Sequence, residues 1–265
     1  MNRIGDYELL ENLGDGNSGT FFRARPPARL ALDAEYVTLK VMTGHATDKE
    51  FRQVANELRV FGAVKCDQLV TVYDAGQQNG RLFYAMGWYP EGSLARDGVD
   101  RATAVAAVVD AAHGAHELHE VGVVHRDIKP SNIMLDNGRG RLGDLGLAQM
   151  LTPGMTTTGI GPIGSIEYME PDVIWGERAA RASDVWSLGM TLHRVVSGEG
   201  AFGVIPEHNV LDAFRHVLHR RPAISEQLPE EFRPIVERAV AAERSDRYST
   251  AAEFAADLDR VARQS

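Results

Sequence analysis

From Tyr7 to about Tyr89 the apolar positions mostly alternate with polar ones, the period of half-buried strands. "YELLENLG" and "GTFFRAR" flank a glycine-rich turn, as in a hairpin, and "EYVTLKVM" reads as the next strand. "PPARLALDA" lies between them; its two prolines predict a loop. The period then changes: in "DKEFRQVANELRVFGAV", Phe51, Val54, Leu58 and Phe61 recur at helical spacing, so one face of a helix is buried. "LVTVYDAG" and "RLFYAMGWY" return to the strand pattern, joined by a turn in "QQNG".

Beyond Gly92 the helical period dominates. "RATAVAAVVDAAHGAHELHE" predicts a long alanine-rich helix ending at Gly122. Short strand-like pieces surround residues 123 to 145, and "TPGMTTTGIGPIG" has no periodicity and predicts a loop. Four helices follow, in "SDVWSLGMTLHRVVSG", "NVLDAFRHVLHR", "EEFRPIVERAVAAE" and "STAAEFAADLDRVAR". The layout is α+β: a small antiparallel-sheet lobe with one helix over residues 1–86, a join over 87–92, and a larger, mainly helical lobe over 93–265.

The net charge of -9 argues against nucleic acid as a partner, since such binders carry a basic footprint. No apolar run is long enough to cross a bilayer, and the N-terminus has no signal-peptide core, so a cytoplasmic location without a membrane segment is expected. The single cysteine, Cys66, cannot form an intrachain disulfide and reads as a small apolar residue near a turn. His113, His116 and His119 recur every three residues, but on a helix they spread over an arc of about 120°, a poor fit to one metal ion.

The chemistry concentrates in three places. Gly14, Gly16 and Gly19 form G-x-G-x-x-G in a strand-turn-strand setting, where glycine lets backbone lie against a phosphate. A plain glycine-rich hairpin has the same pattern, and a Rossmann site is disfavoured because a strand, not a helix, follows. Lys40 sits mid-strand among Val37, Leu39 and Val41, and Glu57 on the next helix is a candidate partner; both also read as solvated charges. The densest stretch is "VVHRDIKPSNIML". Asp127 and Asn132 lie five apart, and Asp144 follows twelve later in "GDLG". These oxygen ligands suit magnesium, and Lys129 stands where it can neutralise a developing charge. Taken singly, each is also a cap, a turn residue or a surface charge.

In combination and in this order the motifs resemble the protein kinase catalytic domain, of the eukaryotic-like Ser/Thr type found in bacteria. The resemblance runs from Tyr7 to about Arg263, and "DIKPSN" is similar to the Ser/Thr rather than the tyrosine class. It implies transfer of the ATP γ-phosphoryl group to Ser/Thr hydroxyls, with magnesium or alternatively manganese. By resemblance, Lys40 binds the α- and β-phosphates and is held by Glu57. Asp127 takes the substrate hydroxyl proton, Lys129 steadies the γ-phosphoryl group, and Asn132 and Asp144 hold the metal. The adenine pocket it implies comprises Leu13, Phe21, Thr38 and Met134, with Met86 behind and the main chain of Gly87 and Tyr89 as the hinge. Phe61, Val72, His125 and Leu145 are implied as packing, and His119 as structural. Arg126 is implied to bind a phosphate on the Gly/Thr loop, at Thr157 or Thr158 before Thr156, placed there by autophosphorylation.

Some positions depart from the family's pattern. Thr38 replaces an alanine. Ser165 and Ile166 replace Thr-Pro, with Ser165 still expected to bond Asp127. "MEPD" (Met169 to Asp172) stands where a glutamate normally pairs with an arginine, so a looser Asp172–Arg247 pair is expected. These departures leave a nucleotide-binding pseudokinase scaffold as the alternative, with a small-molecule kinase of related fold third. Implied partners are protein substrates, a regulatory partner protein and a second copy of the chain.

Overall fold

The computed structural model describes residues 3–16, 19–145, 163–206 and 209–264. The chain forms two compact units: residues 1–65 with 70–90, and residues 66–69 with 91–265. The expected loop at "TPGMTTTGIGPIG", with Thr156, Thr157 and Thr158, lies almost wholly outside the described residues.

The first unit is a six-stranded antiparallel sheet. Its strands are β1 (Arg3–Ile4), β2 (Tyr7–Gly16), β3 (Gly19–Arg25), β4 (Val37–Met42), β5 (Val72–Gln78) and β6 (Arg81–Gly87), in the order β1-β2-β3-β4-β6-β5. Alternation turns Val37, Leu39 and Val41 toward Tyr7, Ala24, Phe83 and Ala85 to make the core, with Tyr7 edge-on to Phe83 at 6.0 Å. The turn between β5 and β6 is Asn79-Gly80, both at positive φ, as a two-residue hairpin of this twist requires. Helix α1 (Asp48–Ala63) starts at Thr47 with a capping box to Glu50 and buries Val54, Leu58 and Phe61. Two details differ from the pattern. The edge strand β1 is too short to show a period. In the "PPARLALDA" loop, Pro27 fixes an extended backbone and one 3-10 turn follows at Ala28–Leu30.

The second unit is built on α2 (Arg101–Glu120), capped by Asp100, whose small residues Ala104, Ala107, Ala111 and Ala115 are buried. Small side chains let neighbours approach its backbone. The hairpin of β7 (Ile133–Asp136) and β8 (Arg139–Leu142) comes so close that a Cβ on Gly140 would sit 2.4 Å from the Ala107 carbonyl oxygen. The other helices are α3 (Pro171–Ile174), α4 (Arg181–Ser197), α5 (Val210–Leu218), α6 (Arg233–Ala239) and α7 (Ala251–Ala262), of which α4 and α7 pack on α2. The expected helix in "EEFRPIVERAVAAE" shrinks to Arg233–Ala239: Pro234 has no N–H to give an upstream carbonyl and sits in the first turn. No helix among the described residues is long and apolar enough to cross a membrane.

Candidate active site

In the first unit, main-chain register places the side chains. β2 and β3 pair as far as Gly16 opposite Gly19, and Gly14 sits at φ 118°, open to glycine and strained for other residues. A Cβ on Gly19 would lie 2.3 Å from the Val41 carbonyl oxygen, so close pairing with β4 demands glycine there. In β4, Lys40 pairs with Phe21 on one side and Tyr84 on the other. Its side chain is only 2% exposed, and its ammonium lies 5.0 Å from the Phe21 ring and 5.9 Å from that of Tyr84. Thr38, two residues earlier and so on the same face, is buried and pairs with Met86, also buried. Leu13 is exposed on β2, and Glu57 is half-buried on α1. The Gly87 N–H donates to the Thr71 carbonyl at 2.9 Å, and Tyr89 packs its phenol over Gly87.

In the second unit, a buried carboxylate does the placing. Asp184, in the first turn of α4, accepts the His125 N–H at 2.7 Å and the Arg126 N–H at 2.8 Å, and bonds His119 Nε2 at 2.7 Å. Aspartate at a helix start also faces the positive end of the helix dipole. Arg126 is thereby held at φ 72°, outside the usual range for an L-residue. The His125 ring pairs Nε2 with the Gly143 carbonyl at 3.0 Å. A carbonyl only accepts, so Nε2 carries the proton and Nδ1 is left to receive the Asp127 N–H at 3.4 Å. Burial pushes the imidazole below its ordinary pKa, which keeps it neutral for this arrangement.

The expected catalytic residues of this unit meet around Asp127. Lys129 Nζ donates to both of its carboxylate oxygens, at 3.0 and 2.8 Å, and to Ser165 Oγ at 2.7 Å. Asn132 Nδ2 donates to the Asp127 carbonyl at 2.7 Å and to its carboxylate at 2.9 Å. The Gly143 N–H donates to the Asn132 carbonyl at 2.9 Å, which ties the segment carrying Asp144, at φ 61°, to the same loop. Met134 is half-buried on β7, bridged to Ser93. Ser165 therefore reaches the cluster through Lys129. Of the three helical histidines, His113 is exposed, His116 half-buried and His119 held by Asp184.

One expectation is corrected. The carboxylate facing Arg247 is Glu170, not Asp172. Glu170 is 1% exposed and takes Arg247 Nη1 at 2.5 Å, Arg244 Nε and Nη2 at 2.8 and 2.7 Å, and the Ser183 hydroxyl at 2.5 Å. Burial opposes its ionisation, but the hydrogen bonds from Arg244, Ser183 and Arg247 outweigh it and hold the carboxyl below the ordinary range. Asp172 comes one residue after Pro171 opens α3, which turns it outward; it comes no nearer to Arg244 than 3.9 Å. Sequence reasoning assigned no role to Asp184 or Glu170. Asp184 left one signal, a charge directly beside Val185, Trp186 and Leu188.

The chain matches the protein kinase domain family over residues 7–257. It is 34% identical to serine/threonine-protein kinase PknB of Mycolicibacterium smegmatis over 96% of its own length and 43% of the relative's. It is 31% identical to serine/threonine-protein kinase PknJ of Mycobacterium tuberculosis, over 94% and 44%. It is also 31% identical to the DNA damage-responsive serine/threonine-protein kinase RqkA of Deinococcus radiodurans, over 98% and 40%. The chain thus spans less than half the length of these curated relatives. Among solved structures, the PknI kinase domain of Mycobacterium tuberculosis superposes with a TM-score of 0.75, covering 98% of this chain and 97% of that one at 20% identity.

Proposed function

The chain belongs to the protein kinase domain family, and from that premise we propose that it transfers the γ-phosphoryl group of ATP to serine and threonine hydroxyls of proteins. The observation that carries this reading is the cluster around Asp127. A carboxylate held by Lys129 and Asn132 is oriented to accept a hydroxyl proton, and Lys129 stands beside it to offset charge on the moving phosphoryl group.

In the first unit, backbone at Gly14, Gly16 and Gly19 would cover the phosphates, and Lys40, paired with Glu57, would bind them. Leu13, Phe21, Thr38 and Met86 would take the adenine. The Gly87 N–H is already spent on Thr71, so recognition at that residue falls to its carbonyl, with Tyr89 supplying the other main-chain groups. Asn132 and Asp144 fit a hard cation. The amide nitrogen of Asn132 is committed to Asp127, which would leave its oxygen to hold a cation, and Asp144 would likewise offer oxygen. Magnesium bound with ATP neutralises charge on the phosphates during transfer. Manganese has the same ligand preference.

Arg126 would receive a phosphate placed on Thr157, Thr158 or Thr156 by autophosphorylation, ordering that segment by charge-assisted bonds. The pseudokinase alternative rested partly on "MEPD", yet the ion pair in doubt there is made by Glu170.

The test is Asp127→Asn. Incubated with MgATP and a mixed protein substrate, the variant is expected to transfer phosphate about 10²- to 10⁴-fold more slowly than the wild type while still binding ATP. Intact-mass analysis of the same samples reads autophosphorylation. Equal transfer by both proteins, or transfer to sugars and none to proteins, rejects the reading.

A further inference from the structure

Away from Asp127, the second unit contains a cavity of about 320 Å³, within the size range of ligand sites. Trp186, Pro222, Ile224 and Val240 give it an apolar lining, and Arg220 and Arg221 stand at its wall. Both arginines are exposed, and neither makes an ion pair or side-chain hydrogen bond among the described residues. The Trp186 indole N–H, on a side chain 3% exposed, also has no acceptor among them.

The local charge runs against that of the molecule. The chain carries -9, yet "RHVLHRR" (Arg215 to Arg221) holds three arginines, two histidines and no acid. Of the other lining charges, Arg247 is neutralised in place, bound to Glu170 and to the Ala182, Ala241 and Ala242 carbonyls. Arg220 and Arg221 share the wall with the acids Asp172 and Glu237 but pair with neither among the described residues.

We propose that this cavity docks an acidic peptide segment of a partner protein, with one apolar side chain inside and flanking carboxylates on Arg220 and Arg221. The apolar lining needs an apolar occupant. Guanidinium groups without partners suit carboxylates, which they bind through paired hydrogen bonds. A nucleic acid would leave the lining unfilled and meet a chain of like net charge. The inference goes beyond phosphoryl transfer, because docking here asks nothing of Asp127.

The experiment is selection of displayed twelve-residue peptides on the whole chain, with counter-selection on the double variant Arg220→Ser/Arg221→Ser. Enriched peptides are expected to place two or more Asp or Glu within a few residues of a Leu, Ile, Phe or Trp. A fluorescein-labelled copy of the leading peptide should bind the double variant about tenfold more weakly. Ile224→Glu, which puts a carboxylate against the apolar wall, should bind it more weakly still. The double variant alters exposed side chains only, so its unchanged thermal midpoint certifies the fold. Asp127→Asn should bind the peptide as the wild type does, even if no phosphoryl transfer is found. No enrichment, enriched peptides with no acidic excess over the starting library, or equal binding by the double variant overturns the proposal.

Discussion

The candidate site residues of the first unit and those of the second are held in different ways. In the first unit, strand register puts Lys40 opposite Phe21 and Tyr84, and each position is fixed by its own ladder bonds. In the second, His125, Arg126 and, through them, Asp127 depend on the carboxylate of Asp184, with Lys129 and Asn132 closing on Asp127. A ladder has many small supports, so losing one is local. A buried carboxylate serving several donors is a single support, and its loss leaves all of them unpaired in a low-dielectric interior.

Asp184→Ala is the sharpest way to break this contrast. It strands two backbone N–H groups and one imidazole, and should lower unfolding free energy by about 4–5 kcal/mol. Tyr7→Phe in the first unit removes only the hydroxyl donated to Asp74 at 2.7 Å, and should cost about 1 kcal/mol. Urea denaturation followed by circular dichroism measures both. If Asp184→Ala costs no more than Tyr7→Phe, the second unit does not hang on one carboxylate.

The next effect separates two acids two residues apart. Glu170→Gln leaves Arg247 and Arg244 facing a neutral amide and should cost about 3 kcal/mol. Asp172→Asn, at a half-exposed position, should stay within about 0.5 kcal/mol. The reverse order of thermal midpoints would restore Asp172 as the anchor.

This pair also shows how far the sequence could be read. Periodicity gave the strands of the first unit from Tyr7 onward and most helices of the second, because burying one face imposes a period. Glycine spacing and the order of Lys40, Asp127, Asn132 and Asp144 pointed to the candidate site, because the proposed chemistry needs those groups. The supports were not legible. Aligning "MEPD" by the acid after the proline chose Asp172. Only the start of α3 at Pro171 decides that Glu170 turns inward. The Asp184 bonds join residues 58, 59 and 65 apart in the chain, a separation no local pattern records.

A smaller, pH-driven effect should also fall on the second unit, which holds every histidine except His45. Burial holds His125 and His193 below the ordinary value of 6.5. Above pH 6.5 both are neutral, folded or unfolded, and nothing is lost. Below it the unfolded chain binds protons that the folded chain refuses, so stability falls toward the depressed folded values. The slope should approach about 1.4 kcal/mol per pH unit for each histidine. Glu170, depressed too, adds to the loss only at more acid pH, below the ordinary 4.5. Urea midpoints at pH 7.5, 6.5 and 5.5 read the effect, and His193→Gln should flatten it. A flat profile in the wild type would remove the buried neutral histidines from the account.

The smallest effects test the first unit's own logic. An added methyl at Gly19 meets the Val41 carbonyl, which is backbone in a paired strand and cannot yield without breaking register. At Gly16 the same methyl meets the Phe21 ring at 2.4 Å, and a ring can turn aside. Gly19→Ala should therefore cost about 2 kcal/mol and Gly16→Ala under about 1 kcal/mol. The ranking should reverse for nucleotide. Displacing Phe21 removes the ring 5.0 Å from the Lys40 ammonium and disturbs the expected adenine contact, so Gly16→Ala should raise the KM for ATP more than its stability loss suggests. Such a split, with kcat largely kept, is what independently held residues allow. If both variants instead lose stability and kcat together, the first unit behaves as a single support as well, and the contrast between the two units disappears.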